Sequence, residues 1–200
     1  MVLASSAVAQ VKVEMGATIG LYAPLGSFQP AGAYSSNLPH SPSSLGGTAV
    51  GGQLRLWVAP RIGFELAGST ASSSVGGAST PNPYRSDAPE PARVSTGTAQ
   101  LLFRLTRDES RARVWIGAGA GVVQHGGDAY TAFSKPVNYG GVLGLGSAIR
   151  IRGGLSADLG LTSMIYNFDI RGITATDPGL SERGKQLDLL LHTGLSYSWH

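Results

Sequence analysis

Residues 11–22 alternate without a break: Val11, Val13, Met15, Ala17, Ile19 and Leu21 fall on one face, and Lys12, Glu14, Gly16, Thr18, Gly20 and Tyr22 on the other. A period of two places successive side chains on opposite faces of an extended chain, whereas a helix repeats near 3.6, so this segment is a strand and a long one. The same parity returns seven more times, at about residues 48–58, 61–73, 94–105, 112–124, 137–151, 155–167 and 187–200. The segments between them sort into two kinds. Short turns follow the second, fourth and sixth strands, at Ala59-Pro60, residues 106–111 and residues 152–154. The other four connections run from about a dozen to 25 residues and are rich in Pro, Ser, Gly and Asn, well beyond the roughly two to five of an ordinary hairpin. Short turns at one end and long loops at the other predict an up-and-down meander with both termini at the short-turn end.

Alternation alone suits a soluble barrel as well, with the apolar face inward; the opposite face decides. A wetted face is dense in Lys, Glu and Thr, but here it is largely glycine, with Gly16, Gly20, Gly117, Gly119, Gly121 and Gly144 among its members. Small residues fit where backbones crowd around a tight lumen, which leaves the bulky face outward, toward lipid. Composition agrees: only 14% of residues are charged, against roughly 25% in soluble domains. No apolar run approaches the roughly 20 residues of a membrane helix, since the longest, residues 115–123, is diluted by three glycines. By parity Phe64, Phe103, Tyr197 and Trp199 point outward near the short-turn end, where an interfacial girdle belongs.

The chain ends on Leu187, Leu189, Leu191, Thr193, Leu195, Tyr197 and Trp199, an alternating strand with terminal aromatics. With the eight-strand pattern over residues 11–200, it resembles the eight-stranded outer-membrane barrels of the OmpA and OmpX type. The resemblance implies an all-β, eight-stranded antiparallel up-and-down transmembrane β-barrel in the bacterial outer membrane, with both termini periplasmic and no periplasmic domain. It implies lipid and lipopolysaccharide as surroundings, and barrel assembly machinery as a partner that reads the last strand. His200 after the last aromatic departs from the usual ending of that signal. Ala7-Val8-Ala9 before Gln10 has the small-x-small pattern of signal-peptidase cleavage, so residues 1–9 are expected to be the end of a signal peptide and residues 10–200 the barrel domain.

The lumen-facing parity collects Lys12, Glu14, Arg55, Glu65, Arg104, Arg113, Arg150 and Asp158 toward the short-turn half, with Asp188 nearer the loops. An eight-stranded barrel has room only for side chains, and a charge left alone inside is costly, so Glu14, Glu65 and Asp158 are expected to form one ion-pair network with several of the five bases. Asp188, His192 and Ser196 share the inward face of the last strand, but four residues of strand span roughly 13 Å and make no hydrolase triad. His125 and Asp128 flank Gly126-Gly127 at a loop start, and His40 lies in a Pro/Ser segment; neither makes a metal site. The glycine runs at residues 117–121 and 141–146 lack dinucleotide-fingerprint spacing and a following helix.

No catalytic residue, metal or cofactor is therefore expected. The basic residues are spread singly, which argues against a nucleic-acid partner. Zero cysteines remove zinc-ribbon, thiol-enzyme and disulfide readings and are compatible with export. The long connections balance six bases (Arg85, Arg93, Lys135, Arg171, Arg183, Lys185) with six acids (Asp87, Glu90, Asp128, Asp169, Asp177, Glu182) and indicate no polyanion surface. The expected function is a barrel with a side-chain-plugged lumen and a structural or surface-interaction role, meeting an extracellular ligand through its loops. The alternatives are a narrow OmpW-like channel for small solutes, a lipid A-modifying outer-membrane enzyme, and a soluble secreted barrel.

Overall fold

The computed structural model describes residues 11–25, 43–76, 90–107, 110–128, 137–171 and 181–199. The expected signal-peptide end, His40, most of the long connections and His200 lie outside the described residues. Nine strands are present among those described: β1 (Lys12–Pro24), β2 (Ser43–Leu45), β3 (Gly47–Trp57), β4 (Ile62–Gly76), β5 (Glu90–Arg104), β6 (Ala112–Gly126), β7 (Val137–Arg152), β8 (Leu155–Arg171) and β9 (Ser181–Trp199). Eight are the strands expected from the alternation. The ninth, β2, prolongs β3 beyond Gly46 and pairs with the far end of β4, from Ser43 opposite Gly76 to Leu45 opposite Ser74. Its register is one residue out from that of β3 on β4, where Ala49 faces Ala71. The two glycines at the junction absorb the bulge; a Cβ on Gly47 would run into the Ser72 carbonyl.

All pairings are antiparallel, and β4 with β5 and β1 with β9 complete a closed ring of eight walls. The seam between first and last strands runs from Val13 opposite Trp199 to Pro24 opposite Asp188. No long edge is left bare. Pairing partners can be followed once around: Lys12, Trp57, Gly63, Leu102, Gly117, Gly144, Thr162, Leu190 and back to β1 at Tyr22. The return is ten residues further along β1 than the start. With a rise of about 3.3 Å per residue and strands about 4.8 Å apart, that stagger tilts the strands by about 40° from the barrel axis.

Several strands extend further toward the loop end than their alternation reveals. Glu90 and Arg93 belong to β5, Asp169 and Arg171 to β8, and Glu182, Arg183 and Lys185 to β9, so these charges are strand residues rather than loop residues. The extensions need no apolar alternation because ladder hydrogen bonds alone continue them outside the apolar belt.

The two faces invert the arrangement of a water-soluble protein. Outward Leu66, Leu143 and Leu195 are 55–57% exposed, whereas inward Arg55, Arg104 and Arg113 are 1–2% exposed. A continuous apolar exterior around a charged interior is stable in hydrocarbon and aggregates in water, which disfavours the soluble alternative. Inside, Trp57, Leu102, Trp115 and Ala148 pack at the turn end, and Tyr22, Val94, Val123, Val142, Met164 and Tyr166 toward the loop end. The inward glycines make room for these bulky groups; Gly146 lies against the Trp115 indole, where a Cβ would overlap the ring.

Candidate functional site: the lumen network

Register brings the charges together. Glu14 on β1 stands opposite Arg55 on β3, which stands opposite Glu65 on β4, so acid, base and acid follow one another along the wall. Arg113 on β6 and Asp158 on β8 reach across the lumen to this row. Arg55 Nε donates to Glu65 Oε2 at 2.6 Å and its Nη1 to Asp158 Oδ1 at 3.1 Å, with Glu14 Oε2 4.0 Å from the same Nη1. Arg113 Nη1 pairs with Glu14 Oε1, and Arg113 Nη2 donates to Ser156 Oγ at 3.0 Å. Lys12 Nζ is 3.5 Å from Glu14 Oε1. Two glutamines extend the set, Gln53 Nε2 donating to Asp158 Oδ2 at 3.3 Å and Gln100 Nε2 to Glu65 Oε1 at 3.2 Å. Three carboxylates therefore face three cations, and the burial cost of each charge is offset by an opposite charge and by fixed donors.

Two indoles support the network. The Arg55 guanidinium lies 4.2 Å from the centre of the Trp115 ring, and Arg104 lies 3.7 Å over Trp57. The indoles meet edge to face at 6.3 Å. Stacking of this kind holds a planar cation flat while its edge donors reach the carboxylates. Arg104, also expected in the network, lies over Trp57, with Nη1 donating to the Pro60 carbonyl at 3.1 Å.

Arg150 is not brought into these ion pairs. It is half-buried near the turn, where its backbone N–H donates to the Arg111 carbonyl and a register shift separates it from Arg152. Its place on the inward face was legible, but its height next to the wet rim keeps it from the three acids.

The outward aromatics lie as a band at the turn end. Phe64, Phe103, Tyr197 and Trp199 are each 45–48% exposed, and the last two contact edge to face at 4.9 Å. On β9, Asp188, His192 and Ser196 all face the lumen without meeting. His192 lies over Gly160, and Asp188 belongs to a second polar group toward the loops. There Tyr22 and Tyr166 donate their hydroxyls to Asp188 Oδ2 at 2.7 and 2.8 Å, Gln186 Nε2 donates to Oδ1 at 3.0 Å, and His125 Nε2 lies 3.3 Å from the Tyr166 hydroxyl. Sequence reasoning placed His125 beside Asp128 at a loop start and missed this group, although its inward parity on β6 was the available signal. Among the described residues no three His, Cys, Asp or Glu side chains gather as a metal site.

No family model matches the chain, and no curated protein matches it in sequence. Solved structures do match. The outer membrane protein OprG from Pseudomonas aeruginosa aligns with 96% of this chain and 97% of its own at 15% identity and a TM-score of 0.63. The outer membrane protein AlkL, solved in lipid bilayers, aligns with 100% of this chain and 95% of its own at 13% identity and 0.73. Neisserial surface protein A aligns over 94% and 96% at 10% identity and 0.57. The fold is that of the small eight-stranded outer-membrane β-barrels. At these identities the likeness concerns the fold, and what this chain does is read from its own lumen and surface.

Proposed function

We propose that this chain is an integral outer-membrane barrel whose lumen is closed by the Glu14, Arg55, Glu65, Arg113 and Asp158 network, with a structural or surface-interaction role carried by its long extracellular loops. In this reading both termini are periplasmic, the turn-end aromatics sit in the interface, and lipopolysaccharide surrounds the loop end. The carrying observation is the network itself: Arg55 contacts Glu65 and Asp158 and approaches Glu14, so one guanidinium ties three walls of the barrel across its interior. A barrel closed in this way has its accessible variable surface in its connections, the usual place for function on such scaffolds.

Conductance of the refolded chain in planar bilayers tests the reading. The expected result is silence at moderate voltage; discrete, reproducible channel steps from the unaltered protein overturn it. A narrow path for small solutes is the second reading, supported by the free space above the network, and it predicts such steps.

A further inference from the structure

Above the network the lumen leaves a small chamber, with about 40 Å³ of water-accessible space. Its wall carries hydroxyls of Thr18, Thr96, Thr98 and Thr162 and an apolar side made by Ala71, Val94 and Met164. The ionisable groups in this wall are Glu65, Asp188 and His192, and no Lys or Arg side chain is among the described residues that line it. Glu65 is neutralised from below by Arg55. Asp188 meets no cation among the described residues: it is 3% exposed, and its three donors there, Tyr22, Tyr166 and Gln186, are all neutral. These donors orient a carboxylate without cancelling its charge, and Oδ1 receives only one of them, so a cation arriving from the chamber meets an acceptor already in place. Tyr22, whose hydroxyl holds Asp188, lines the same wall.

We infer that this chamber is a binding site for a small organic ammonium ion, its charged head on Asp188 and its apolar body against Ala71, Val94 and Met164. An anion would meet two carboxylates and no compensating Lys or Arg among the described residues that line the chamber. A bare metal ion would find a single carboxylate free of a cation. A purely apolar molecule would leave Asp188 uncompensated. The site goes beyond the closed-lumen reading, and binding is measured without reference to conductance, so either can fail while the other stands.

The test uses n-butylammonium chloride added to the full chain in octyl glucoside micelles, which contain no ammonium group, with 1-butanol and butyrate as neutral and anionic controls. Methyl NMR of the methionines reports the site, because Met164 lines the chamber while Met15 faces outward. The ammonium ion is expected to move the Met164 methyl in a saturable way and leave Met15 unmoved, with the alcohol and butyrate much weaker. Asp188→Asn is expected to weaken binding about ten- to a hundredfold, the worth of a hydrogen bond to a charged group. Ala71→Leu fills the apolar side, keeps Asp188, and is expected to weaken binding as well, so it carries the test if the Asn variant fails to fold. No saturable Met164 response, equal response to 1-butanol, or unchanged affinity in folded Asp188→Asn or Ala71→Leu overturns the site.

Discussion

Arg113 makes its contacts from the far side of the lumen, one guanidinium nitrogen on Glu14 and another on Ser156, and it is 2% exposed. Removing it leaves Glu14 with Lys12 at 3.5 Å and Arg55 at 4.0 Å, neither as close as the lost partner. Arg113→Ala is therefore expected to destabilise the barrel by about 3 kcal/mol, the scale for breaking a buried pair, measured by urea unfolding from lipid vesicles. Glu14→Gln alone is expected to cost less, and in the double variant the two losses should fall short of additivity because they break the same contact. If Arg113→Ala unfolds at the unaltered urea midpoint and also leaves bilayer conductance unchanged, the network neither closes nor supports the lumen. That these residues face inward was legible from parity alone. Who meets whom was not, because Arg55 finds Asp158 across 103 positions of sequence, and only the barrel's closure and register set that distance.

At the scale of the strand, the parity of β9 sets which substitutions are tolerated. Leu191 faces outward at mid-height, between Leu21 on β1 and Leu161 on β8, and Val13 faces outward at the turn end opposite Trp199. Leu191→Lys is expected to cost about 2–4 kcal/mol in vesicle unfolding, while Val13→Lys, close to the interface, is expected to cost about 0–1 kcal/mol. Equal costs at the two heights would mean that the apolar belt does not coincide with the bilayer. The strands inside this belt were readable because lipid on one side and a packed lumen on the other force a choice at every residue. Ser74 in β4 and Pro91 in β5 belong to strands that the sequence left as loop, since beyond the belt no such choice is enforced. The brief β2 was invisible for the same reason: three residues after a proline carry no period. The Tyr22, Asp188, Tyr166 and His125 group was missed because its members lie on four strands and look unremarkable on each.

For the molecule as a whole, the seam between β1 and β9 is the contact that turns a sheet into a barrel. Met15 and Tyr197 are partners across it and both face outward, and the chain has no cysteine of its own. A Met15→Cys, Tyr197→Cys double variant is expected to form a disulfide under mild oxidation in micelles, since cross-strand partners lie within the Cα separation that a disulfide spans. The cross-linked chain is expected to keep its compact electrophoretic mobility after heating under non-reducing conditions. Recovery of only free thiols from folded protein would show an open seam.

The ten-residue return of the hydrogen-bonded path fixes more than tilt. A stagger counts residues, so it takes whole-number values and cannot drift; with eight walls it sets the circumference once and for all. Widening the bore by a fraction of an ångström all round would strain every ladder at once, and a one-residue slip would turn leucines inward and arginines toward lipid. This barrel has no iris. Whatever passes or settles inside it must do so by side chains trading places against a rigid cylinder, so its permeability answers to substitutions at a handful of inward positions and hardly at all to membrane tension.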